Sequence, residues 1–275
     1  MKLLKCLLTD NDCYKAGRTI EPKGVMIHST GANNPMLRRY VQPAKRDLNY
    51  AGLMKQLGSN PNGNHWNRCG LNVCVHAFIG KLADGSVATV NTLPWNRRGW
   101  HAGSGTTRTS ANNTHIAFEI CEDGLTDPNY FKEVYRKAVE LTAHLCELYS
   151  LNPVEPGVVL CHSEGHKLGM ASNHGDVEHW FPRMGKTMDD FRADVAAELE
   201  KGREDMTQEQ FNERMDRWLA QRAALPPSDW SAKERAWMEE MGLIRGDGAG
   251  NLNYKSFCTR EELAAIIYRL EHPGE

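Results

Sequence analysis

The sequence predicts an α/β or α+β sandwich over its first 200 residues, followed by a small all-α domain. Three observations lead there. Short apolar runs bounded by Gly, Asn and Lys alternate with segments of helical period through residues 1–200. Two of these runs flank Asp84-Gly85, a turn signal that predicts a hairpin, so antiparallel and parallel strands mix against packed helices. Beyond residue 200 the text reads as three helical segments.

In chain order, GVMIHST (24–30) is the first clear strand. NVCVHAFIG (72–80) and SVATVNTL (86–93) form the hairpin, and HIAFEIC (115–121) is the next strand. Pro128 then opens a helix whose apolar residues fall at 131, 134, 135, 138, 141, 142, 145 and 148. GVVLCH (157–162) is a further strand and DDFRADVAAELE (189–200) a second helix. The tail helices span 207–222, 231–241 and 259–271. Gly242 suits the end of the second. Thr259 with Glu262 three residues on forms a capping box for the third. Pro226-Pro227 breaks helical text. Residues 1–200 carry 22 basic and 21 acidic side chains, and residues 201–275 carry 11 and 14. These shifts divide the chain into a domain at 1–200, a helical linker at 201–227 and a module at 228–275.

The chain has 275 residues, 25% charged and 40% hydrophobic, which is ordinary for a globular protein. Its net charge is -2, so a partner held mainly through phosphates is not expected and nucleic acid is excluded as the main ligand. No apolar run reaches the roughly 18 residues of a membrane span. The start, MKLLKCLLTDND, lacks a small-residue cleavage site and is interrupted by Lys5, so a secretory leader is not expected. Eight cysteines form no CxxC pair and are read as reduced and mostly structural. Of the 11 histidines, ten precede residue 180.

His28 and His162 both close strand-like runs. Strand alternation places Cys161 and His162 on opposite faces, so one can be core while the other faces a cleft. ASNHGDVEHWFP then supplies His174, Asp176 and His179. Two strand-end histidines and a loop His/Asp cluster are the elements of a three-ligand zinc site that keeps its fourth position for water. Each histidine alone is more often structural. Glu119 lies inside an apolar strand, where a carboxylate is costly to bury unless paired. It fits either a salt bridge or a general base, and spacing does not choose between them.

GVMIHST, GWHAG (99–103), HIAFEI and CHSEG…NHGDVEHWFP occur in the order and context of the zinc-dependent N-acetylmuramoyl-L-alanine amidases. The chain resembles that family, which is related to peptidoglycan recognition proteins, over about residues 20–195. The resemblance implies an α/β fold with a mixed central β-sheet flanked by helices. It implies Zn2+ held by His28, His162 and Asp176, with Glu119 as general base for the activated water. Where many members place an oxyanion-stabilising lysine, this chain has His174, which serves the oxyanion or competes with Asp176 for metal. His101 matches a groove-lining position, and Trp100, Trp95 and His76 are placed with it as substrate-binding residues. The implied reaction cuts the amide between N-acetylmuramic acid and the L-alanine of the stem peptide, in the manner of a phage endolysin. The alternatives are a non-catalytic peptidoglycan-binding protein and a stem-peptide peptidase.

Residues 228–270 resemble a single S-layer homology module, which implies contact with a secondary cell-wall polymer. Only one copy is present and Glu261 stands where a small residue is usual, so packing or homo-oligomerisation through residues 206–275 is the other expectation. GDGAGN is excluded as a calcium loop, because Ala249 stands where Asp or Asn is needed. Met206 follows a stretch that can encode a ribosome site and is read as a possible internal start. The endolysin likeness implies synthesis in the cytoplasm and holin-mediated release to the wall.

Overall fold

A computed structural model describes residues 3–202, 208–247 and 250–273; Met206 and Ala249 lie outside them. The chain divides into two compact units, Met1–Gly202 and Arg203–Glu275. The first holds six strands: β1 (Leu3–Lys5), β2 (Gly24–Asn33), β3 (Ala77–Lys81), β4 (Val87–Asn91), β5 (His115–Glu122) and β6 (Val159–Cys161). They form one sheet in the order β1-β4-β3-β5-β2-β6. The β3–β4 hairpin is antiparallel, and the other neighbours are parallel. Around the sheet lie α1 (Asp12–Ala16), α2 (Tyr50–Leu57), α3 (Pro128–Leu148), α4 (His162–Lys167) and α5 (Met188–Gly202). This is the mixed α/β sheet flanked by helices.

Alternation along β2 and β5 decides where chemistry can occur. Val25, Ile27, Ile116, Phe118 and Ile120 face α3 and α5 and pack with Phe131, Val134, Leu141, Phe191 and Val195. Asp127 starts α3 by accepting the N–H groups of Asn129 and Tyr130 at 2.9 and 3.3 Å, and Pro128 occupies the first turn, where no donor is needed. Met26, Ala117, Cys121 and Phe78 point the other way, into a second layer with Leu37, Tyr40, Leu53 and Leu57. His28 follows Met26 at an interval of two, and Glu119 lies between Ala117 and Cys121, so both share this second face. Each fully buried Val, Leu, Ile or Phe contributes about 1.5–3 kcal/mol relative to exposure. The packed first face therefore offsets the cost of a carboxylate in the middle of β5.

Two expectations change. GVVLCH is strand only as far as Cys161, and His162 is the first residue of α4. Cys161 and His162 thus do not alternate as strand neighbours. The break is built by Glu164, whose carboxylate reaches back to the Cys161 N–H at 3.1 Å. Arg192 of α5 grips Glu164 through two 3.0 Å bonds and also donates to the Val159 carbonyl at 3.0 Å. NVCVHAFIG becomes a strand only at Ala77; before it, Cys74 makes an isolated bridge to Trp100. β1 pairs with β4 at the sheet edge.

The eight cysteines are unpaired, and five of them are buried. In the second unit the described helices are α6 (Gln208–Ala223), α7 (Ala232–Glu240) and α8 (Arg260–Glu271). Thr259 and Glu262 form the capping box that opens α8. Gly242 follows α7 at φ +63°, a left-handed turn that glycine adopts without strain. Leu243 is buried, whereas Trp230, Trp237, Phe257, Ile267 and Tyr268 are exposed. Among the described residues no helix is long and apolar enough to cross a membrane.

Candidate metal centre and its cleft

Three segments converge on one point of the second face. β2 presents His28, the first turn of α4 presents His162, and a short 3-10 turn at Asp176–His179 presents Asp176. Asp176 holds φ +41°, a conformation that Asp tolerates better than most residues and that follows directly on Gly175. Its Oδ2 lies 3.1 Å from His28 Nδ1 and 2.9 Å from His162 Nδ1, and the two Nδ1 atoms are 3.2 Å apart. Tetrahedral zinc with bonds of 2.0–2.1 Å separates its ligands by about 3.3 Å, so this triangle of two imidazoles and a carboxylate fits such an ion with little movement. The two histidines are buried and Asp176 nearly so.

The electrostatics agree with a site built for charge. Burial opposes the Asp176 carboxylate, but hydrogen bonds from His162 and His28 overcome it and hold the group well below the ordinary carboxylate range. Burial pushes the His28 imidazole down, which favours the neutral ring a metal needs.

Glu119 is the in-register partner of His28 on the parallel neighbour strand, and of Phe78 on the other side. Its Oε2 is buried with no hydrogen-bond partner. Burial, then the negative charges of Asp176 and Glu122, raise its carboxyl well above the usual value. Tyr40 stacks on Phe78 at 5.3 Å and 13°. The orphaned Glu119 oxygen marks a place where a further polar group fits.

Residues 18–179 match the N-acetylmuramoyl-L-alanine amidase family. The chain belongs to that family. No curated protein sequence matches it. Among solved structures it is similar to the Staphylococcus aureus hydrolase AmiA in complex with its ligand, at 18% identity over 72% of this chain and 83% of that one, with a TM-score of 0.47. A mutant endolysin from Bacillus subtilis matches at 18% identity, over 71% and 99% of the two chains, with a TM-score of 0.44. The amidase LysC from Clostridium intestinale matches at 14% identity, over 68% and 99%, with a TM-score of 0.36.

The remaining sequence-derived positions of this amidase fall in three layers. His174 is exposed beside the triangle, its ring 4.7 Å from that of His162 and its Nδ1 3.1 Å from the Ser172 hydroxyl. His101 stands behind His28, Nδ1 to Nε2 at 3.1 Å, and burial drives its ring well below the ordinary histidine range. His76 and Trp95 form the wall behind His101; their rings stack at 6.5 Å. Trp100 lies half-buried under the Arg98 guanidinium, 5.3 Å from its ring centre.

The sequence allows His76 to be a satisfied core histidine or a cleft residue. The residue is wholly buried. Its Nδ1 accepts the Ala117 N–H at 3.0 Å and its Nε2–H donates to the Arg97 carbonyl at 2.7 Å, so no ring atom is left for substrate. Burial pushes its pKa down to about 4. The unfolded chain then binds this proton more readily than the folded one, and the associated stability, full above pH 6.5, is lost as pH falls from 6.5 to 4. The loss is about 3 kcal/mol. His76→Gln is expected to flatten the fall in denaturant stability over that window; an unchanged pH slope refutes the assignment.

Sequence reasoning missed Ser172, Asn112 and the His179–Glu122 pair. His179 Nε2 meets the buried Glu122 at 2.9 Å and so ties the turn carrying Asp176 to the end of β5. Ser110 Oγ accepts the Asn112 N–H two residues on, and a serine at that spacing is a turn signal.

Proposed function

We propose that this amidase hydrolyses the bond between the lactyl group of N-acetylmuramic acid and the L-alanine of the stem peptide, as an endolysin-type, zinc-dependent enzyme. The observation that carries this reading is the pairing of the His28–His162–Asp176 triangle with an in-register buried carboxylate at Glu119. His28, His162 and Asp176 would hold Zn2+, which would supply Lewis-acid activation of water and of the amide carbonyl.

The chain's own residues do the rest. Glu119 accepts the proton of the attacking water and passes it to the departing L-alanine nitrogen. A raised carboxyl pKa suits both halves of that task, because it strengthens the base and keeps the acid form within reach. The Ser172 hydroxyl accepts from His162 Nε2–H, so its own proton is free to go to His174 Nδ1. That leaves a His174 proton on Nε2 to donate to the developing oxyanion.

The second unit is assigned to holding the enzyme at its substrate, through a secondary cell-wall polymer or through pairing of copies over residues 206–275. Its exposed Trp230, Trp237 and Phe257 support a contact role. As an endolysin the protein is made in the cytoplasm and reaches the wall by holin-mediated release.

Digestion of purified peptidoglycan tests the reaction. New N-terminal L-alanine without new reducing ends is the expected product. Other new N-termini indicate a stem-peptide peptidase, and binding without release indicates a recognition protein.

A further inference from the structure

A histidine that binds metal through one nitrogen needs its other nitrogen held, because that second bond fixes both tautomer and ring orientation. A metal held in the triangle would be bound through both Nδ1 atoms, and each ring would then carry its proton on Nε2. His28 Nε2 meets His101 Nδ1 at 3.1 Å. His162 Nε2 meets the Ser172 hydroxyl at 3.3 Å.

These two acceptors belong to different segments, yet they are tied to the same three residues. The main-chain N–H groups of His101 and Ala102 both donate to Asn112 Oδ1, at 2.7 and 3.0 Å. The Ala102 carbonyl accepts the Ser172 N–H at 2.9 Å and lies 3.4 Å from its hydroxyl. Gly103, at φ +64°, packs so closely that a Cβ there would stand 2.7 Å from Ser172 Oγ. Its carbonyl accepts from Asn112 Nδ2 at 2.7 Å. Asn112 is wholly buried, and its other amide bond goes to Ser110 Oγ at 2.9 Å. Every hydrogen-bonding capacity of this side chain is thus spent on the 101–103 loop and its anchor.

We infer that the His101–Gly103 loop, pinned by the buried amide of Asn112, is one frame that orients both His28 and His162, making His101, Ser172 and Asn112 positioning residues for the metal. This rests on the zinc reading proposed above. The frame reaches His28 directly through His101 and reaches His162 through Ser172. Asn112 touches neither ligand, and its effect on the metal passes through the loop.

The test is zinc affinity, read by competition with a chromogenic chelator at fixed pH, together with thermal melting of the metal-free protein. Ser172→Ala and His101→Phe are each expected to weaken zinc by about 10–100-fold. His101→Asn, which returns an acceptor near the Nδ1 position, is expected to recover part of that loss. Asn112→Ala is expected to weaken zinc at least as much as Ser172→Ala, and the two changes together by less than the product of their separate effects. If Asn112→Ala does not fold, Asn112→Asp replaces it, since it keeps the acceptor for both N–H groups and turns the donor to Gly103 and Ser110 into an acceptor oxygen. Zinc affinities within threefold of wild type in Ser172→Ala and the Asn112 variant, with lower melting temperatures, overturn the frame and leave these residues as packing. Wild-type protein that binds no zinc overturns the metal reading and the frame with it.

Discussion

Glu119→Gln is expected to lower peptidoglycan turnover by about 10³-fold, within the span that general acid–base groups contribute. Zinc affinity should stay within a few-fold, because Glu119 is not one of the three side chains that form the triangle. Melting temperature should hold or rise. In the folded protein the Glu119 carboxylate is buried, one oxygen has no partner, and the nearby negative charges of Asp176 and Glu122 oppose its ionisation. A group whose carboxyl pKa is raised by folding makes the folded state less stable at neutral pH than a neutral isostere does. Glutamine keeps the shape and removes the charge. Loss of turnover combined with equal or greater stability is the pattern of a residue strained for function, and a packing residue does not give it. Retention of more than a tenth of wild-type turnover removes Glu119 from the base role.

Much of this site is legible in the sequence, residue by residue, because its parts lie on short apolar runs whose period is plain. Val25 to His28 alternate in and out, and so do Ile116 to Glu119, which puts a histidine and a carboxylate on definite faces before any pairing is known. Which strands are neighbours is another matter. His28 meets Glu119 because β2 and β5 pair in parallel across about ninety residues of chain, and register at that range depends on packing of both faces. His162 was misplaced for a local reason. Its helix starts at a cysteine, a poor capping residue by composition, and the true signal is Glu164 reaching back while Arg192, from α5, holds it. His101 illustrates the limit most clearly. Its motif implies a groove-lining residue, and the structure adds a contact the motif does not carry, a ring nitrogen 3.1 Å from His28 Nε2. By contrast, the capping box at Thr259 and Glu262 involves residues three apart, and the spacing alone located the start of α8.

Asp176→Ala and His174→Ala should separate the two residues that the sequence left in competition for the third ligand position. Removal of Asp176 is expected to weaken zinc by more than 100-fold, beyond the 10–100-fold typical of residues that only support a ligand. It also takes away the shared acceptor that draws His28 and His162 together at 3.1 and 2.9 Å. Hydrogen bonds to a charged group contribute about 1.5–3 kcal/mol each, so the metal-free variant should melt well below wild type. His174 is exposed, reaches Ser172 at 3.1 Å, and forms no side of the triangle. His174→Ala should therefore keep zinc within a few-fold and leave melting unchanged, while turnover falls by about 10²–10³, the cost of one oxyanion donor. Chelation of wild type completes the comparison. It should abolish turnover yet leave the unit folded, because the three side chains hold one another without the ion, and added zinc should restore activity and raise the melting temperature with its concentration. If His174→Ala loses zinc and Asp176→Ala keeps it, the ligand set is His28, His162 and His174, and Asp176 becomes the group that orients them.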